Sequence, residues 1–419
     1  MSSERELLTR AIGTFGLAAS IVNITIGGGI FRLPAVVAGS LGTAAPIGYV
    51  VCAAAMTLIV WCMAWAGRRV SVTGGPYAYV GVALGPFAGF LSGMLIWMMG
   101  TFALAAVATV FAASVGQLVP SLHGAWTESA VLIGAFLFWT IVNLGGVELG
   151  VRLNSVATIA KLTPLLLLAG AGLLFVHADH LAIATMPEPA LVARVSMVLI
   201  FAFAGIECAL LPSGEVRDSE RTIPRAIAIA MATITLLYIV LQVVTQGILG
   251  SRLDASITTP LADAAGASMG GWARALLLAG ASVSMFGYVG GMLLSMPRVV
   301  YALARDGFLS APLARVHPDR HVPTAAIVCE AVLAVALALT GTFETLAVLA
   351  NASALILYLG CAVAAWRLGQ PLAVPALACG VILWLLSGLT VDEWIATTVC
   401  VAIASAIYLM RAQAKKRPT

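Results

Sequence analysis

The chain has 419 residues, of which 61% are hydrophobic and only 10% are charged. Soluble domains carry roughly 25% charged residues, so a water-soluble fold is excluded and the solvent must be lipid. The net charge of +4 is no sign of nucleic-acid binding, because its distribution along the chain has another explanation. Lipid admits only helices or closed barrels, since every backbone polar group must pair internally. The apolar stretches are long and rich in Leu, Ala and Val. They lack the ten-residue alternation of barrel strands, which leaves helices.

The segment Met1 to Arg10 is polar and mixed in charge, and no small-residue cleavage site follows a short apolar core, so the first apolar stretch is expected to remain. A helix needs about 20 apolar residues to cross a bilayer. Twelve stretches qualify, at 12–37, 43–66, 80–119, 129–146, 156–176, 191–213, 223–250, 272–303, 324–340, 346–368, 373–389 and 394–410. Charge tests that count. With the N-terminus inside and strict alternation, 17 of the 22 Lys and Arg residues fall on the inner side. Arg194, Arg252 and Arg274 fall outside, and Arg32 and Lys161 lie within spans. This excess is what the positive-inside rule requires. The expectation is an all-α protein crossing the cell membrane twelve times, with both termini on the cytoplasmic side.

The first predicted span contains Ile26-Gly27-Gly28-Gly29-Ile30, with Pro34 close behind. Each glycine costs about 1 kcal/mol relative to alanine in a helix interior. A close helix contact would explain glycines four apart, but three in a row fit an unwound stretch better. Such a stretch is tolerated at membrane depth only where it lines a cavity, and it exposes amides able to hold a carboxylate. The sixth span carries Phe201-Ala202-Phe203-Ala204-Gly205-Ile206-Glu207, again with a glycine and an acid inside. Spans 1 and 6 open two five-helix halves. Irregular segments at matching places in two halves predict an inverted-repeat transporter with its site near the midplane.

Ionisable residues at depth are functional candidates. Lys161 lies nine residues from Arg152, about 14 Å along a helix and near mid-membrane. Glu207 lies eight residues from Glu215, about 12 Å deep. Glu330 falls inside span 9 without an evident partner, and Arg32 follows the first break.

At these residues the chain resembles the amino acid–polyamine–organocation permeases. Ile26 to Phe31 is similar to their helix 1 signature. Phe201 to Glu207, with Gly214-Glu215-Val216 and Ile223-Pro224-Arg225, resembles their helix 6 and the loop after it. Thr73-Gly74-Gly75-Pro76-Tyr77 and Ala304-Arg305-Asp306-Gly307 resemble their loops 2–3 and 8–9. The resemblance implies the LeuT-type fold: an inner tail at 1–11, repeats at 12–177 and 190–368, two extra helices at 371–411 and a basic tail at 412–419. It also implies a substrate site at Thr25, Ile26, Gly27, Gly28, Gly29 and Ile30 of helix 1 and Phe201, Phe203, Ala204 and Gly205 of helix 6. Amides of Gly28 and Gly29 would hold the substrate carboxylate, carbonyls near Thr25, Phe201 and Ala204 its amino group, and Phe201 would be a lid. Ser92, Gly93 and Trp97 of helix 3 are expected to wall the pocket. Lys161 would take the place of a sodium ion, with Ser282 and Ser284 as partners, and Glu207 would couple the site to gating. No acid or base falls between Gly85 and Val119, which favours a neutral side chain on the substrate. The implied function is sodium-independent transport of L-amino acids, by exchange or proton coupling. A cationic amino-acid or polyamine substrate is the alternative.

Other signals are set aside. Gly266-Ala267-Ser268-Met269-Gly270 fits a nucleophile-elbow pattern but not the strand-to-helix setting it needs. The five histidines lack metal-ligand spacing, and the seven cysteines form no CxxC pair, so neither metal nor cofactor is expected. An ion channel would want a filter repeat or rings of charge, and an intramembrane enzyme a nucleophile–base pair. Neither pattern is visible.

Overall fold

The computed structural model describes residues 13–70, 76–145, 162–183, 185–206, 216–256, 258–318, 320 and 322–414. Among these residues the regular elements are helices, with no strand. In chain order they are α1 (Thr14–Thr25), α2 (Leu33–Leu41), α3 (Ala45–Arg69), α4 (Pro76–Leu84), α5 (Pro86–Leu118), α6 (Ala125–Gly145) and α7 (Leu162–Phe175). Then come α8 (Pro189–Phe203), α9 (Ser219–Leu249), α10 (Pro260–Met269), α11 (Gly271–Arg305), α12 (Thr324–Thr340), α13 (Phe343–Arg367), α14 (Ala373–Leu386) and α15 (Val391–Ala414).

Among the described residues, seven stretches are long and apolar enough to cross a membrane: Leu33–Arg69, Pro86–Leu118, Ala125–Gly145, Glu220–Leu253, Gly271–Arg305, Phe343–Arg367 and Val391–Arg411. Helices α1, α7, α8, α12 and α14 are apolar but shorter. Each of the twelve stretches read from hydropathy therefore contains helix, with three differences. The first stretch is two helices, α1 and α2, separated by a break. The third does not begin as one rod at residue 80: α4 ends at Gly85, whose φ is +93°, and α5 starts afresh at Pro86. A left-handed glycine followed by proline stops one helix and starts the next. Between α9 and α11 there is also a helix not anticipated, α10, which starts on Pro260 and contains Ser268. That serine's hydroxyl donates to the Ala264 carbonyl of its own helix at 2.8 Å, so it is no nucleophile elbow.

The centre of the bundle is α5, which packs along α11 and α13. Small residues permit this closeness. A Cβ built on Gly100 of α5 would run into the Met296 side chain of α11, and one on Gly290 of α11 would lie 2.5 Å from the Trp139 ring of α6. Helix α9 packs on both α1 and α3. The outward faces are apolar: Leu137 and Ile141 on α6 and Ile395, Val399 and Ile403 on α15 are exposed. Apolar surface of that kind suits a helix that faces lipid.

Candidate functional site

The first break is built by glycine. Helix α1 stops at Thr25, Ile26 leaves the helical region, and Gly27 is extended at φ −100°, ψ −160°. A single 3-10 turn follows at Gly28–Phe31, and α2 resumes at Leu33 with Pro34 in its first turn. The second break ends α8. Ala204 is extended at ψ 152°, and Gly205 has φ +111°, a conformation L side chains rarely adopt. Glu207 and the residues through 215 lie outside the described residues, as does Lys161.

The two breaks meet. A Cβ on Gly205 would fall 3.3 Å from the Ile24 carbonyl oxygen, and one on Gly29 would fall 2.8 Å from Phe201 Cδ1. Tyr238 of α9 ties them together: its buried hydroxyl donates to the Ala202 carbonyl at 2.9 Å and lies 3.3 Å from the Thr25 carbonyl. Both acceptors belong to the last turn of a helix that stops, where carbonyls have lost their usual amide partners. On its other sides the first break rests on Val107 of α5 and Met285 of α11, both near Gly28, and on Tyr288 of α11, near Gly27. Thr25, Ile26, Gly28, Gly29, Ile30, Phe201 and Phe203 are buried, whereas Gly27, Ala204 and Gly205 are partly exposed.

Above the break on the α2 side sits a charged and aromatic cluster. The guanidinium of Arg32 bonds Glu344 through Nε at 3.0 Å and Nη2 at 2.8 Å. It also lies over the Phe343 ring, 5.4 Å from its centroid. Phe343 meets Phe201 edge-on at 5.5 Å. Glu344 stands in the first turn of α13, where the helix dipole favours an acid.

The helix 3 residues expected to line the site are elsewhere. Val107 is the residue of α5 against Gly28, and Trp97 is ten residues away, about 15 Å along the axis. Gly93 faces Leu303 and Tyr77, and the Ser92 hydroxyl is bonded to the Ala88 carbonyl of its own helix at 2.9 Å. Trp97 donates its indole N–H to Glu330 at 2.7 Å. These three residues therefore stand about three to four turns of α5 away from Val107, the residue that meets the first break. Ser282 and Ser284 are both buried on α11, but residues two apart on a helix point in different directions. Ser282 shares a face with Met285, and the hydroxyls of Ser282 and Thr25 are buried with no hydrogen-bond partner among the described residues.

Sequence reasoning missed Tyr238, Val107, Phe343 and Glu344. The only available signal was Glu344 itself, an acid two residues before a predicted span. The described residues contain no cluster of His, Cys, Asp and Glu able to hold a metal ion.

Comparison with known proteins agrees with this architecture. The family model for amino acid permeases matches residues 12–411. The chain is 24% identical to the methylthioribose transporter of Bacillus subtilis, over 97% of this chain and 94% of that protein. It is 28% identical to the serine/threonine exchanger SteT of the same organism, over 80% of this chain and 77% of the exchanger. It is 27% identical to the arginine/ornithine antiporter of Pseudomonas aeruginosa, over 69% and 63%. With the family model matched from residue 12 to residue 411, the chain belongs to the amino acid permease family and is a multi-pass membrane transporter.

Proposed function

We propose that the chain is a sodium-independent secondary transporter of neutral L-amino acids, working by alternating access through exchange or proton coupling. The observation that carries this reading is the juxtaposition of two helix breaks, at Gly27–Gly28–Gly29 and at Ala204–Gly205, held together by Tyr238. In this reading amides of the first break take the substrate carboxylate. Carbonyls freed at the ends of α1 and α8 take the amino group, as helix ends at midplane sites do. The described walls are Val107, Met285, Tyr288 and Phe201, none of them charged. An unpaired cationic side chain among them would cost several kcal/mol. Lys161 stands in for a coupling ion, and the unpartnered hydroxyls of Thr25 and Ser282 support this, because an ammonium needs acceptors there. Arg32, Glu344, Phe343 and Phe201 form the outer closure. The two five-helix repeats are 12–177 and 190–368, with twelve crossings and both termini inside.

One alternative has its own support. Glu207 follows the second break directly, and the arginine/ornithine antiporter is among the relatives, so a cationic substrate balanced by Glu207 is the competing reading. Proteoliposomes loaded with one unlabelled compound and challenged with labelled alanine, serine, leucine, phenylalanine, arginine, ornithine or methylthioribose separate the readings. Neutral amino acids should accumulate by counterflow without sodium. Preferential counterflow of arginine or ornithine promotes the alternative. A strict need for sodium removes the role given to Lys161. Counterflow of methylthioribose alone removes the amino-acid reading.

A further inference from the structure

The one fully buried acid among the described residues is Glu330 of α12, with no exposed surface. It lies six residues from the start of α12 and ten from its end, about 9 Å and 15 Å inside the helix. The buried face that carries it is mostly alanine: apart from Ile327, the α12 residues buried with it are Ala326, Ala331, Ala334 and Ala338. These small side chains bring α12 close to α5, and the carboxyl reaches across that contact. Its Oε2 accepts the Trp97 indole N–H at 2.7 Å, and its Oε1 lies 2.9 Å from the Thr101 hydroxyl.

The hydrogen bonds around the carboxyl accommodate a neutral acid. An indole can only donate, so Oε2 is an acceptor. Thr101 has a single hydroxyl hydrogen, and its oxygen also lies 2.8 Å from the Trp97 carbonyl, one turn back in α5. That hydrogen has two acceptors in reach, Glu330 Oε1 and the Trp97 carbonyl, and with a neutral acid the carbonyl takes it, in the usual back-bond of a helical threonine. The Thr101 oxygen is then left with lone pairs facing Glu330 Oε1, and the pair is satisfied when Oε1 carries a hydrogen and donates it.

Charge balance agrees. Helix α12 packs on α5, α6, α11 and the turn at Ala311–Ala314. Helix α5 has no ionisable residue at all. On α6 the acid is Glu128, paired at the far end with His123. On α11, Arg298 turns back to the Leu294 carbonyl, Arg274 is paired with Asp263 and Arg305 with Asp306, and the remaining titratable groups are the neutral phenols Tyr288 and Tyr301. Cys329, next in the chain, is the titratable group beside Glu330, and it brings no positive charge. Among the described residues no base lies within 4.0 Å of the Glu330 carboxyl. A lone carboxylate buried in the contact of two largely apolar helices is so costly that the group takes a proton instead.

We propose that Glu330 is a proton-binding site, occupied in this conformation, where the neutral acid bridges Trp97 and Thr101 and locks α12 to α5. Trp97 and Thr101 lie about 80° and about 120° round α5 from Val107, the residue that meets the first break, and the proposal does not depend on what the breaks bind. Loss of the proton puts an unbalanced charge into the α5–α12 contact and loosens it.

Infrared spectra of the purified full-length protein at neutral pH test this directly. The carbonyl stretch of a protonated carboxylic acid should be present in the wild type and absent from E330Q, so that the wild-type-minus-E330Q difference shows that band. T101V, which removes the acceptor of the acid hydrogen, should shift the same band to higher frequency. A carboxylate band lost in E330Q, with no acid band affected by either variant, overturns the proposal. Thermal stability gives a second readout. Because the native state holds the extra proton, wild-type stability should fall as pH rises, by up to a factor of ten in the folding equilibrium per pH unit while that proton is retained. E330Q, whose amide reproduces the neutral bonds without taking up a proton on folding, should be more stable than the wild type at neutral pH, by a margin that grows as pH rises, and should lack that part of the slope. Equal slopes in the two proteins contradict it.

Discussion

Replacing Gly28 with alanine places one carbon 2.8 Å from Val107 Cγ1, 3.1 Å from Met285 Cγ and 3.2 Å from Val107 Cγ2. Carbon atoms settle at about 3.5–4.0 Å, so the neighbours must yield by half an ångström or more. Methionine is unbranched and adapts, whereas valine on a helix has one strongly preferred rotamer. Val107 is therefore the obstacle. Overpacking of this kind costs about 1–3 kcal/mol, and about 1.4 kcal/mol already corresponds to tenfold in an equilibrium constant. G28A should lower thermal stability and weaken substrate binding together, because the break carrying the amides is pushed away from α5. V107A alone removes both offending methyls and should cost roughly 1.6 kcal/mol, at about 0.8 kcal/mol per buried carbon, plus a term for the cavity. In G28A/V107A the new methyl enters that cavity, so the double variant should be more stable than the sum of the singles by about 1–2 kcal/mol, within the range of contacting pairs. Melting curves in detergent, with and without a transported amino acid, give all four corners of the cycle. Strict additivity, or wild-type binding in G28A, would show that the first break is not wedged between α5 and α11 as described.

Y238F should leave the Ala202 carbonyl without its donor, costing about 1–3 kcal/mol, and should slow uptake by more than its effect on melting accounts for; uptake that falls only in step with stability would make Tyr238 a structural residue. E344Q removes a partly exposed ion pair worth about 0–1 kcal/mol, so stability should hardly change, while the outer path should open more readily. Faster alkylation of F201C in E344Q than in its parent checks this, and restoration of slow alkylation by R32E/E344R would assign the effect to the pair. K161A should fold, as judged by gel filtration and melting, yet lose most uptake; normal sodium-independent uptake would remove Lys161 from the coupling scheme.

Hydropathy made most of the helices legible, because lipid imposes a length and composition on each crossing that few other constraints override. The first break could be read from Gly27, Gly28 and Gly29, since three glycines weaken a helix wherever they stand. The stop after Phe203 could be read less sharply from Gly205, which takes φ +111°. The bend at Gly85–Pro86 was equally open to local reading but was passed over inside one apolar run. What could not be read was pairing across the bundle. Glu330 meets Trp97 and Thr101 over more than two hundred residues of chain, and Arg32 meets Glu344 over more than three hundred. No local pattern announces such contacts. The same limit applies to helix 3. Ser92, Gly93 and Trp97 have the right chemistry for a site, but which residue of α5 meets the first break, Val107, is set by packing and not by residue type.

The central claim is that the two facing breaks bind the substrate, and Ala204 is a partly exposed position in the second of them. A204C, in a background whose seven native cysteines are replaced by alanine or serine, can be alkylated in proteoliposomes with and without each transported amino acid. The account predicts that a transported amino acid slows alkylation of A204C, in proportion to its occupancy of the site, while a non-transported one leaves the rate unchanged. Alkylation indifferent to every amino acid that the same proteoliposomes transport would contradict it.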